Sequence, residues 1–317
     1  MNAWNRRQWL AASLSAPFAT RLSARSLADA ADDMPIVDTH QHLWDRSIFK
    51  LEWIADGSVL DRNFLPSDYA EATRGLGVVA AVYMEVDVTV SQQTDEARYV
   101  SALCREGKGA TRASVISGRP DSPGFADYLD QFRGDPYVKG LRQVLHASAT
   151  PPGHCLKPEF VKGIQELGKR GLSFDLCMRA AELGDGAKLV RQCPDTQFVL
   201  DHCGNPNVKA KPSKQWIDDI DRLAAQPNVV GKISGVIAGS DPSKPAAEQL
   251  APFVNHVWNA FGPDRVVFGG DWPVCLLGGS YAKWVETLRE IATDRSAEDR
   301  RKLFHDNAVR VYRLGKV

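Results

Sequence analysis

Two histidines stand two positions apart in Ile36-Val37-Asp38-Thr39-His40-Gln41-His42, at the end of a short apolar run. Side chains two apart on a strand share a face. His40 and His42 can therefore grip one metal ion together or hydrogen-bond one substrate oxygen. A lone histidine is most often structural, whereas a pair at this spacing on a strand end favours a functional role. A third histidine, His202, stops the apolar run Gln197-Phe198-Val199-Leu200-Asp201 and precedes the turn formers Gly204-Asn205-Pro206. Asp271 follows Val266-Val267-Phe268-Gly269-Gly270 and is itself followed by Trp272-Pro273. A carboxylate behind such a run needs a partner or a task, because an unpaired buried charge is costly. The two glycines before it allow close backbone approach. The plain alternative is that Asp271 caps a helix or an Asx-turn.

The elements that must carry these groups recur as short runs rich in Val, Ile and Phe, separated by stretches with helical spacing. Eight strands are expected: residues 36–40, 78–86, 113–117, 137–145, 172–178, 197–202, 229–234 and 265–271. Helices are expected between them, for example at 93–106, 158–170 and 213–225. Eight such units predict a closed (β/α)8 TIM barrel over residues 34–317, a size typical of that fold. An open doubly wound sheet would announce a glycine-rich phosphate turn after its first strand, and here that strand ends in His-Gln-His. No internal repeat or low-complexity linker divides the chain. In a barrel the carboxyl ends of the strands converge on one opening, which would bring His40, His42, His202 and Asp271 together. By the same logic Glu85 and Lys232, near the ends of the second and seventh strands, are either ligands at the mouth or members of a buried charge cluster with Arg142. Trp44 and Trp272 either wall the pocket or simply pack.

Lys and Arg number 39, as do Asp and Glu, so the formal net charge is zero. Nothing here attracts a nucleic-acid backbone or an anionic membrane, and a small discrete ligand is the expected partner. The six cysteines show no CxxC pair and read as buried thiols. Arg6-Arg7, an apolar stretch to Ala19 and Ala28-Asp29-Ala30 give residues 1–30 the form of a twin-arginine export signal with an A-x-A cleavage site. The expectation is export to the periplasm, and a cytoplasmic protein with a loose tail is the alternative. No later apolar run reaches the ~18 residues of a membrane span. Oligomeric state leaves no mark on a single sequence.

Three segments taken together, Asp38-Thr39-His40-Gln41-His42, Leu200-Asp201-His202-Cys203-Gly204 and Gly269-Gly270-Asp271-Trp272-Pro273, resemble the amidohydrolase-related (amidohydrolase 2) family, in its sugar- and muconate-lactonase branch. The likeness is collinear from about residue 34 onward and includes Tyr137-Val138-Lys139-Gly140-Leu141-Arg142, Ser173-Phe174-Asp175-Leu176-Cys177 and Val230-Gly231-Lys232-Ile233-Ser234-Gly235. The resemblance implies a (β/α)8 barrel that hydrolyses a lactone, such as that of a sugar acid. Asp271 would be the general base for water, and His40, His42 and His202 would polarise the carbonyl. Arg142 would hold a substrate carboxylate or hydroxyl. Relatives with two metals add a bridging lysine on strand four and a histidine on strand five; here Lys139 sits beside Gly140 and Asp175 replaces the histidine, so a two-metal centre is not expected. The resemblance leaves open no cofactor or a single divalent ion, zinc or manganese, on His40, His42 and Asp271. The rival readings are a metal-dependent nonoxidative decarboxylase on the same barrel and a barrel that only binds a ligand.

Overall fold

The computed structural model describes residues 34–317, and the leader reading falls on residues outside that range. Eight strands form one sheet in sequential order with every neighbouring pair parallel. They are β1 (Ile36–Gln41), β2 (Val78–Met84), β3 (Thr111–Ser117), β4 (Val138–Val144), β5 (Ser173–Cys177), β6 (Phe198–Leu200), β7 (Val229–Ile233) and β8 (Val266–Phe268). Helices pack outside them, and the architecture is a (β/α)8 barrel. The helix Pro158–Lys169 illustrates why these segments fold as they do. Proline opens it, and Phe160, Val161, Ile164 and Leu167 form one buried stripe. The helix Lys214–Ala224 begins where Ser213 accepts a hydrogen bond from the backbone of Trp216.

Alternation along the strands separates two cores. Ile36, Leu141, Phe174, Leu176 and Phe268 belong to the large cluster shared with the helices. Val37, Ala80, Val230 and Val267 pack with Ala308, and Val82, Met84, Ala113, Val115 and Val199 pack with Tyr312. These small clusters hold only strand residues and the C-terminal segment, which fills the lower barrel. Above them the inward positions turn polar: Asp175 on β5, Lys232 on β7, then Arg142 on β4.

Barrel closure is carried by single bonds, because β8 and β1 share no continuous ladder. Thr39 Oγ1 donates to the Phe268 carbonyl at 2.6 Å, Asp271 N to the His40 carbonyl at 2.8 Å, and His42 N to the Trp272 carbonyl at 2.8 Å. Asp38 ties the same seam from outside. Its carboxylate accepts from His40 N (2.9 Å), Gly270 N (2.7 Å), Tyr69 Oη (2.8 Å) and Tyr281 Oη (3.1 Å). A side chain at Gly270 would collide with the Tyr281 ring and with Asp38, so glycine is required there.

The strands expected at residues 197–202 and 265–271 end earlier, at Leu200 and Phe268. His202 and Asp271 lie beyond them in turns, each with φ of 53°. Left-handed backbone cannot continue a ladder, and period-two patterning does not reveal it. β2 likewise ends at Met84, leaving Glu85 just beyond it.

Asp38→Ala strands two buried hydroxyls and two backbone N–H groups, so it should lower the unfolding free energy by about 3 kcal/mol or more, against about 1 kcal/mol for Tyr281→Phe. Urea unfolding of both variants measures this, and equal losses would show that Asp38 is not the tie.

Candidate active site

Extended backbone through β1 brings His40 and His42 to the barrel mouth, and the turns after β6 and β8 bring His202 and Asp271 to meet them. The His40 ring lies 4.8 Å from that of His42 and 4.5 Å from that of His202, centroid to centroid. Asp271 Oδ1 stands 3.3 Å from His42 Nε2 and 3.6 Å from His40 Nε2. All four residues named from the sequence therefore converge. A side chain at Gly235, whose φ is +67°, would overlap the His202 ring and crowd Asp271, so that glycine lets the two catalytic candidates approach.

The hydrogen bonds fix which nitrogens carry protons. His42 Nδ1 lies 2.9 Å from the Met84 carbonyl, which only accepts, so Nδ1 is the donor and Nε2 is the atom that faces Asp271. Arg142 Nη1 lies 3.2 Å from His40 Nε2 and can only donate, so that nitrogen accepts. His40 Nδ1 faces a second donor, Lys232 Nζ at 3.4 Å, as well as Asp201 Oδ1 at 3.6 Å; a neutral imidazole accepts at only one nitrogen, and the shorter contact, from Arg142, assigns that role to Nε2 and the proton to Nδ1. Burial holds both His40 and His202 below the ordinary histidine range, which keeps them neutral. His202 Nδ1 meets Ser234 Oγ at 2.9 Å.

Beneath these groups lies a buried charge cluster. Lys232 Nζ is 2.6 Å from Asp175 and 2.9 Å from Asp201. Burial pulls Lys232 down, but the two carboxylates raise it well above its usual value. Burial alone would raise Asp201, yet Lys232 and His40 hold it well below the usual carboxylate range. Arg142 gives Nε to Glu85 Oε1 at 2.6 Å and Nη2 to the Glu85 carbonyl at 2.7 Å, and its Nη1 also reaches Asp201 at 3.4 Å.

A cavity of about 670 Å³ opens above, with His42, Arg142, His202 and Asp271 in its wall. That size suits a small molecule. Glu85 and Lys232 are fully buried and do not line the cavity; the first anchors Arg142 and the second neutralises Asp175 and Asp201. Arg142 does reach the wall, but four of its five N–H groups are engaged, leaving one for a substrate oxygen rather than a fork for a carboxylate. Trp44 and Trp272 pack with Phe64, and Trp53 lines the cavity instead. The cysteines are unpaired and buried, and burial pushes Cys177, in the cavity wall, far above the ordinary thiol range.

The donor atoms of His40, His42 and Asp271 lie within 4.8 Å of one another. Ligands about 2.0–2.1 Å from a tetrahedral zinc stand roughly 3.3–3.4 Å apart. The separations of 3.3 and 3.6 Å to Asp271 are close to that edge, and an imidazole nitrogen facing a carboxylate suits a cation. These residues fit a single divalent ion.

Residues 37–314 match the family described as amidohydrolase. The chain belongs to this amidohydrolase family. It is 28% identical over 292 residues to an L-fucono-1,5-lactonase of Burkholderia multivorans, an alignment covering 88% of this chain and 96% of that protein. An L-rhamnono-gamma-lactonase of Scheffersomyces stipitis is 23% identical over 333 residues, covering 88% and 98%. A crystal structure of an amidohydrolase from Burkholderia multivorans with bound zinc superposes with a TM-score of 0.80 at 26% identity, covering 89% of this chain and 100% of that one.

Two functional candidates in this amidohydrolase were not read from the sequence. Asp201 escaped although it ends the same apolar run as His202. His146 lines the cavity as an exposed side chain. The spacing Arg142-x-Val144-x-His146, which continues the period of β4 two residues past its end at Val144, was the available signal.

Breaking the buried Glu85–Arg142 pair from one side should be worse than removing both charges. Arg142→Met should cost about 3–5 kcal/mol of unfolding free energy and the double variant Glu85→Gln/Arg142→Met less, by urea unfolding; a double variant as unstable as the single would refute the pairing. Behind this pair Glu96 accepts from Tyr83 Oη and Val86 N, and burial raises it to about 8. The folded chain binds that proton more tightly than the unfolded one. The resulting stabilisation is complete below the ordinary carboxyl value and is lost as pH rises toward about 8. Glu96→Gln should therefore flatten the decline in unfolding free energy between about pH 5 and pH 8, and parallel profiles for the two proteins would show that Glu96 titrates normally.

Proposed function

We propose that this amidohydrolase opens the lactone of a sugar acid or a similar small, uncharged oxygenated ring by adding water to the carbonyl carbon. The observation that carries the reading is Asp271, its carboxylate in the cavity wall 3.3 Å from His42 Nε2 and 3.6 Å from His40 Nε2. A water there meets acceptors on one side, and Asp271 takes its proton as the oxygen attacks. In this reaction Ser234 Oγ acts as donor to His202 Nδ1, so that the Nε2–H of His202 serves the carbonyl oxygen as charge develops on it, and the remaining N–H of Arg142 is a second donor in the same cavity wall. The tetrahedral adduct collapses as the ring C–O bond breaks, and the proton held by Asp271 passes to the leaving alkoxide. The product is an open-chain hydroxy acid.

Three features support a neutral ring over an anionic one. Arg142 has no free fork for a carboxylate, Trp53 gives the wall an aromatic face, and Asp87 adds an acceptor suited to hydroxyls. The two relatives, an L-fucono-1,5-lactonase and an L-rhamnono-gamma-lactonase, point the same way. His40, His42 and Asp271 would hold a single zinc or manganese ion, and such an ion supplies Lewis acidity at the attacked carbonyl or at water.

The test is acid release from a panel of neutral aldonolactones by the full chain, with and without chelator, beside Asp271→Asn. We expect turnover on at least one lactone and a loss of about a thousandfold in the variant. Undiminished hydrolysis by Asp271→Asn would sink the assignment of the base. Carbon dioxide release from aromatic acids with no lactone turnover would replace the reaction itself with decarboxylation.

A further inference from the structure

Arg142 points a donor at the nitrogen that a metal ion would use. Its Nη1 lies 3.2 Å from His40 Nε2, the same atom that stands 3.6 Å from Asp271 Oδ1 in the candidate ligand trio. An imidazole nitrogen has one lone pair, and a guanidinium can only donate, so His40 cannot satisfy Arg142 and a cation at once. Arg142 is also not free to leave. It is buried, and its Nε and Nη2 are held at 2.6 and 2.7 Å by the carboxylate and the carbonyl of Glu85. A divalent ion seated on the trio would also lie beside a fixed positive charge inside a low-dielectric barrel.

We propose that Arg142 caps His40 Nε2 and competes with a divalent cation for it, so that this guanidinium, rather than the ligand set, limits the metal affinity of the site. The inference rests on the reading that His40, His42 and Asp271 take a divalent ion. It does not depend on which substrate the enzyme turns over. In the capped state His42 Nε2 and Asp271 still face each other with acceptors, so an ion entering the resting enzyme meets two ready ligands and a third that is occupied. Uncapping should complete the set without moving any ligand.

The experiment is a zinc titration of the metal-stripped full chain against a chromogenic chelator, so its readout is affinity and not turnover. The principal variant is Glu85→Gln/Arg142→Met, which removes one charge of each sign and leaves the net charge around the site unchanged. A second variant, Arg142→Lys, keeps the positive charge and a partner for Glu85 but loses the planar fork that reaches Glu85 and His40 together. We expect at least tenfold tighter zinc binding in the double variant, tighter binding also in Arg142→Lys, and loss of the gain when His42→Ala is added to the double variant. Equal or weaker binding in both variants overturns the cap while leaving the metal site standing. Absence of zinc binding by the wild type and by both variants overturns the cap together with the reading of His40, His42 and Asp271 as ligands. A gain that survives His42→Ala overturns it as well, because the ion would then be bound elsewhere.

Discussion

Two cations are buried inside the barrel, and the geometry of the mouth follows from the need to neutralise them. Lys232 lies against Asp175 and Asp201, and Arg142 against Glu85 and Asp201. Asp201 is shared, and His40 sits between the two cations, with Lys232 Nζ 3.4 Å from Nδ1 and Arg142 Nη1 3.2 Å from Nε2. An imidazole so placed cannot become a third cation, which agrees with its depressed pKa. A cluster of this kind contributes little net stability, since desolvation offsets attraction. Its effect is on position: each cation is held between two carboxylates, and Asp201, shared by both, ties the two into one arrangement.

That rigidity matters because the reactive groups stand on backbone that the sheet does not hold. His202 and Asp271 both adopt left-handed conformations that non-glycine residues rarely take. The turn bearing Asp271 is fastened instead by its own N–H on the His40 carbonyl and by Gly270 N on Asp38. Because Asp38 also accepts from His40 N, one carboxylate outside the barrel sets the distance between the first histidine and the aspartate inside it. Closure of the barrel and assembly of the site are the same set of bonds.

This explains which parts could be read from the sequence. The eight strands were legible because buried parallel strands are continuous apolar runs, and His40 and His42 were legible because period two places both at one mouth. Asp271 was visible as a charge where a run ended. The conformations of His202 and Asp271 were not legible, since a positive φ in a non-glycine residue arises from tertiary bonds formed by Asp38, His40 and Ser234. The division of labour among the charges was hidden too. Glu85, Lys232 and Arg142 all sit at strand ends, and only three-dimensional pairing tells the buried supports from the residue that reaches the cavity. Asp38 stood inside the quoted motif, but nothing in a linear string distinguishes a carboxylate that faces the helices from one that faces the barrel.

The tautomers complete the argument about chemistry. The Met84 carbonyl fixes the proton of His42 on Nδ1, and Arg142 with Asp201 fixes that of His40 on the same nitrogen. Both histidines thus bring Nε2 close to Asp271, but that of His40 already accepts from Arg142, and only His42 shares the cavity wall with the carboxylate. The opposite demand, donors for an oxygen gaining negative charge, falls to His202 and Arg142 in the proposed reaction. Water addition to a carbonyl needs this polarity, because the nucleophile sheds a proton while the electrophile gains charge. Asp271 and the nitrogens beside it are also what a cation would seek, so the same groups could serve a general-base reaction or a metal site. Which of the two the protein favours depends on how firmly Glu85 holds Arg142 against His40.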